Sequence, residues 1–169
     1  IIITAKNRDA EEFLQKQFKD KSLQKEYICI CCGRPKKRTG DIRTQIIRDP
    51  KNRHRFKAVT DTDEGKFART LYHCIASYGN YSLIRVRLKT GRTHQIRVHM
   101  KYLGCPILGD QTYNKPDSNF PDATLMLHSV QLKIKLPGIE EYKTFRTKVP
   151  GRFQKIEKKL RAKFPKNEY

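Results

Sequence analysis

Two spacings of apolar residues divide this chain. Where apolar and polar residues alternate, the period is that of a half-buried strand; where apolar residues recur every three or four positions, it is that of a helix packed on one side. Ile1, Ile2 and Ile3 form a short apolar run, which predicts a buried strand already under way at the first residue. Asp9 with Glu12 has the form of a capping box, and Ala10, Phe13, Leu14 and Phe18 follow at helical spacing, acids early and lysines late. Residues 26–31 are strand formers, with Tyr27, Cys29 and Cys31 on one face and Ile28 and Ile30 on the other, so both faces are expected to be buried. Residues 68–76 and 82–89 flank Gly79-Asn80 and predict an antiparallel hairpin. Its second strand puts Ser82, Ile84, Val86 and Leu88 on an apolar face and Arg85, Arg87 and Lys89 on a basic one.

At Gly91 the period changes. Thr93 is placed as an N-cap, Ile96, Met100 and Leu103 make a helical stripe, Gly104 closes it and Pro106 stops it. A polar loop over 110–122 leads to alternating segments at 124–136 and 142–149 around Pro137-Gly138, and Phe153, Ile156, Leu160 and Phe164 mark a basic amphipathic helix over 153–164. The succession predicts an α+β fold: a mixed, mostly antiparallel sheet with flanking helices.

The 169 residues suit one domain. Charge adds a partner class: 37 Lys and Arg against 17 Asp and Glu leave +20, a field that draws polyanions and makes nucleic acid the expected partner. The charge names a partner class and no reaction, since ribosomal, DNA-binding and peripheral membrane proteins share it. Residues 33–57, dense in Lys and Arg and broken by Gly33, Pro35, Gly40 and Pro50, are expected to be a basic, loop-rich insertion that touches phosphates. No apolar stretch is long enough to span a bilayer as a helix, and Ile1 to Ile3 is too short for the core of a signal peptide, so a cytoplasmic location is expected. Five cysteines, Cys29, Cys31, Cys32, Cys74 and Cys105, show neither a disulfide framework nor two separated ligand pairs, and are read as packed thiols in a reducing compartment. His94 and His99 lack a third ligand, so no metal site is expected.

The densest chemistry lies at GRTHQIRVHM, residues 91–100: Arg92, His94, Gln95 and Arg97 gather at a helix start whose free N–H groups suit phosphate oxygens or a base edge. This string, with LGCPILGDQTY at 103–113, resembles the C-terminal motif of the RluA-type pseudouridine synthases. Further along the chain, the opening IIITAKN is similar to the strand after that family's HRLDxxTSG motif, Phe18 through Lys25-Glu26-Tyr27 to its QF…K.Y segment, GKFART at 65–70 to its GKxAxT strand, and Leu127-His128-Ser129 to its LHA element. The resemblance covers residues 1 to about 153. It implies isomerisation of uridine to pseudouridine in RNA, ribosomal or transfer, without metal or cofactor. It further implies that Tyr27 stacks on the base and is a candidate for proton transfer, that Ile96 lines an apolar pocket, and that Arg97 pairs with the nucleophilic aspartate. Arg92, His94 and Gln95 are assigned to RNA contact, as are Arg85, Arg87 and Lys89. The nucleophile's HRLDxxTSG motif is not among these residues and is expected just ahead of Ile1, which makes the chain the C-terminal portion of a catalytic domain. From sequence alone a non-catalytic RNA-binding module and a ribosome-associated structural protein stand beside the enzyme.

Overall fold

A computed structural model describes residues 1–167. Its strands are β1 (Gln24–Cys32), β2 (Thr39–Arg48), β3 (Phe56–Val59), β4 (Lys66–Tyr78), β5 (Tyr81–Leu88), β6 (Leu127–Lys135) and β7 (Tyr142–Arg146); its helices are α1 (Arg8–Lys19), α2 (Gln95–Tyr102) and α3 (Gly151–Lys163). The strands form one sheet in the order β3-β2-β4-β5-β1-β6-β7, antiparallel at every ladder. The expected hairpins at Gly79-Asn80 and Pro137-Gly138 are β4-β5 and β6-β7.

Three expectations are corrected. Residues 33–57 are not a loop-rich excursion, because β2 and the start of β3 extend the sheet by two strands. Ile42, Thr44 and Ile46 are buried at period two, while Asp41 and Arg43 face out and lend the segment its loop-like composition. Ile1 to Ile3 are not a strand: Ile1 and Ile3 pack on Leu14, Leu23, Leu132 and Ile134, and Ile2 is 92% exposed. The cap of α1 is Asn7, whose side chain accepts the Ala10 amide at 2.9 Å, and the buried side chains of the helix are Leu14 and Gln17. Phe13 and Phe18 stay at the surface because Gln17 docks the helix by exchanging two hydrogen bonds with the backbone of Lys135.

Register separates the two faces of the sheet. Tyr27 lies opposite Val86, and Val86 opposite Tyr72, so these side chains share one face with Cys29, Ile84 and Cys74. That face carries α2, whose Ile96 and Met100 join the core, and Lys25 on the same face sits over the Phe18 ring of α1. The opposite face carries α3 through Phe153, Ile156 and Leu160, with Phe153 against His128, the partner of Ile28. Cys29, Cys31, Cys74 and Cys105 are fully buried in this core as expected, and burial pushes the Cys105 thiol up to about 12, far from a reactive thiolate.

Candidate active site

The start of α2 is built by a glutamine. Gln95 is buried, its Oε1 accepts the Thr90 hydroxyl at 2.7 Å and the Arg92 amide at 2.9 Å, and its Nε2 donates to the Arg69 carbonyl and to Thr70 Oγ1. All four bonds lie inside the protein, so Gln95 positions the helix and is not an RNA contact as the sequence suggested. The helix boundary shifts with it. His94, in the left-handed region at φ 53°, is the N-cap in place of Thr93, and its side chain makes no capping bond. One turn on, His99 is fully buried between two hydroxyls, with Nδ1 2.7 Å from Thr70 Oγ1 and Nε2 3.0 Å from Thr44 Oγ1. Burial holds its pKa down to about 4, so the ring is neutral. Thr90, Gln95, Thr70, His99 and Thr44 thus form a continuous polar seam that ties α2 to β2 and β4 through an otherwise apolar interface.

Arg97 lies one residue past the buried Ile96, on the flank of the helix. Its Nε and Nη2 donate to the two oxygens of Asp110 at 2.8 and 2.7 Å, a bidentate pair in which the Arg97 side chain is 17% exposed and Asp110 fully buried. Burial alone would raise the Asp110 carboxyl; the Arg97 guanidinium and the amides of Tyr113 and Thr112 more than reverse that and leave it below its ordinary value. Asp110 therefore stays charged, and Arg97 is aimed by a fixed counter-ion that also organises the 110–113 turn through two amides. Behind the pair the guanidinium sits 4.9 Å from the Tyr113 ring centroid, the Tyr113 hydroxyl meets His94 Nδ1 at 2.9 Å and accepts the Phe56 amide at 3.0 Å, and the Phe56 and His94 rings pack edge to face. His94 is partly withdrawn from solvent, and burial followed by the Arg97 charge lowers its pKa.

Tyr27 and Ile96 belong to the same apolar cluster, with Tyr27 half-buried at its margin. Burial raises the Tyr27 phenol while a bond to the Ser129 side chain pulls it partly back, so the hydroxyl is protonated at neutral pH. The basic residues divide. Arg92 stays beside the Gly91 turn, its Nε donating to the Phe67 carbonyl. Arg85, Arg87 and Lys89 alternate with Ile84, Val86 and Leu88 and so lie on the sheet face opposite Tyr27, where Arg87 is paired with Glu26. Sequence reasoning missed Tyr113 and Phe56, and the pairing of Asp110 with Arg97 depends on a turn that hydropathy does not encode.

Comparison with known proteins gives a consistent result. The model of the RNA pseudouridylate synthase family matches residues 1–102. The chain is 45% identical over 153 residues to the ribosomal large subunit pseudouridine synthase D of Borreliella burgdorferi, covering 90% of this chain and 46% of that protein. It is 37% identical over 155 residues to the dual-specificity RNA pseudouridine synthase RluA of Escherichia coli, covering 90% and 68%. The chain spans about half the length of most of the curated relatives it matches. Human RNA pseudouridylate synthase domain containing 4 shares the fold, with a TM-score of 0.75 over 92% of this chain and 69% of that one at 24% identity.

Proposed function

The chain belongs to the RNA pseudouridylate synthase family, of the RluA type, and from that premise we propose that it forms part of the catalytic domain of an enzyme converting uridine to pseudouridine in structured RNA. Ribosomal RNA is the first substrate to test, since the 45%-identical relative is named for the large ribosomal subunit; transfer RNA is the second. The reaction is an isomerisation: the bond from N1 to the ribose is broken, the uracil turns, a bond from C5 to the ribose forms, and the proton lost from C5 is balanced by one taken up at N1. No metal or cofactor takes part. A flipped-out uridine needs a flat surface and an apolar wall to replace the stacking it leaves. Tyr27 supplies the surface and a protonated hydroxyl, and Ile96 the wall. Arg97 orients the carboxylate nucleophile, which the family carries in HRLDxxTSG, a motif not found among these 169 residues. Arg92 and His94 contact RNA at the start of α2, and Arg85, Arg87 and Lys89 serve RNA that reaches the other face of the sheet. The protein works in the cytoplasm, where such RNA is found.

The observation that carries this reading is the pairing of Arg97. Its guanidinium is charged, nearly buried and held at two nitrogens by Asp110, next to the residue that enters the apolar cluster of Tyr27. Held this way it can direct a second carboxylate without searching for it. The test is tritium release from RNA carrying C5-labelled uridine, using the natural polypeptide. Release is expected, and Tyr27→Ala should lower it by about 10²-fold or more. RNA binding with no release would instead establish a non-catalytic module.

A further inference from the structure

A cavity of about 630 Å³ opens beside the Gly91 turn, between the β2-β3 connection, the first residues of β4 and residues 91–93. Its volume falls within the range of about 300–1,000 Å³ typical of small-ligand sites. Its wall is set by a close backbone approach: Gly65 has φ +95°, and a Cβ there would lie 2.5 Å from Ile47 Cγ2 and 2.7 Å from the Ile46 carbonyl. Arg48, Lys66 and Arg92 line it against a single carboxylate, Glu64. The Arg48 guanidinium sits 5.1 Å from the centroid of Phe56, another lining residue. An arginine plane on an aromatic ring is the type of surface on which an unstacked base continues the pile, while the neighbouring cations take its phosphate. The cavity is also joined to the reaction centre, because the Phe56 amide donates to the Tyr113 hydroxyl, and Tyr113 backs Arg97.

We propose that this cavity is an RNA subsite that receives one unstacked nucleotide next to the target uridine, its base against Arg48 and Phe56 and its phosphate among Lys66 and Arg92. The subsite rests on the function proposed above and deepens it: it gives the β2-β3 hairpin a share in choosing which uridine is modified. A nucleotide seated there would press on Phe56, and through Tyr113 would set the backing of Arg97, so that occupancy and alignment of the reacting groups go together.

The test is equilibrium binding of the natural polypeptide to a structured RNA that it modifies, or, if it modifies none, to a ribosomal RNA hairpin with an unpaired uridine in its loop. Lys66→Glu is compared with Lys16→Glu, which makes the same change in net charge on the exposed side of α1. Lys66→Glu should weaken binding about tenfold and flatten its salt dependence, and Lys16→Glu should stay within about twofold of the unchanged protein. Circular dichroism of both variants confirms folding, and Lys66→Ala, with an intermediate loss, serves if the reversal unfolds the chain. Equal losses for Lys66→Glu and Lys16→Glu, or none for either, overturn the subsite. Binding reads the subsite and tritium release reads the reaction, so the two proposals fail separately: a silent Lys66→Glu in an active enzyme removes only the subsite, and selective loss at Lys66 without any release removes only the isomerase.

Discussion

Asp110→Asn changes one atom at the most constrained point of the site. The carboxylate is fully buried and receives four hydrogen bonds, two from Arg97 and one each from the amides of Thr112 and Tyr113. In the variant the amide oxygen can keep the turn amides at Oδ1, but the NH2 group then stands where Oδ2 lay, 2.8 Å from the Arg97 Nε–H, donor against donor. Arg97 cannot discharge, so among the described residues it is left as a cation without a carboxylate partner and with little access to water. Removing one partner of a buried pair costs about 3–5 kcal/mol, and the 17% exposure of Arg97 points to the lower end, about 3 kcal/mol. For a domain of this size that corresponds to a fall in Tm of roughly 6–12 °C. Urea titration followed by circular dichroism measures it directly, and Arg97→Met in the same background should restore part of the loss by removing the stranded charge. A single variant within about 1 kcal/mol of the unchanged protein, or a double variant less stable than Asp110→Asn, would show that the pair is not the buried, mutually dependent unit described here.

Two further outcomes follow from neighbouring features. His99 has a folded pKa of about 4 against an ordinary 6.5, so the unfolded chain takes up the proton first as pH falls: the stabilisation is whole above 6.5 and is lost between 6.5 and 4, amounting to about 2.5 kcal/mol at pH 4.5. His99→Gln, which keeps a donor and an acceptor between Thr44 and Thr70, should therefore lose about 2 kcal/mol less than the unchanged protein between pH 7 and 4.5 in urea titrations; parallel pH curves would contradict a neutral His99. Gly109 and Gly104 both have positive φ, but a Cβ at Gly109 would lie 2.2 Å from the Thr124 carbonyl whereas one at Gly104 meets nothing within 4 Å. Gly104→Ala should cost about 1 kcal/mol and Gly109→Ala clearly more, and equal losses in thermal melts would refute the close approach.

The parts of the fold that could be read from sequence were those where one physical signal acted alone. In β5 the alternation of Ile84, Val86 and Leu88 with Arg85, Arg87 and Lys89 defines both faces, and the structure keeps them. In β2 the same period is carried by Ile42, Thr44 and Ile46, but a threonine in the apolar register and arginines nearby made composition the louder signal. Asn7 and Asp9 are both good capping residues, and only the backbone angles choose between them. At the candidate site, a resemblance singled out Tyr27, Ile96 and Arg97, whereas their surroundings were out of reach. Gln95 looks like a surface residue until its four partners from the turn and β4 are seen, and Phe56 and Tyr113 come together through a loop rather than through any spacing.

The polar seam of Thr90, Gln95, Thr70, His99 and Thr44 bears on how accurately α2 can aim. Ridge-and-groove packing of apolar helix faces leaves orientation loosely specified, and packing angles scatter by about 15–20° around their preferred values. A guanidinium roughly 6 Å from the helix axis would swing through about 2 Å over such a roll. Displacements half that size are enough to cost about two orders of magnitude in a reaction that depends on placement. Hydrogen bonds from His99 and Gln95 to fixed hydroxyls of the sheet are directional and do not allow that roll. The angular accuracy of Arg97 is thus set on the buried side of its own helix, by residues enclosed between that helix and the sheet.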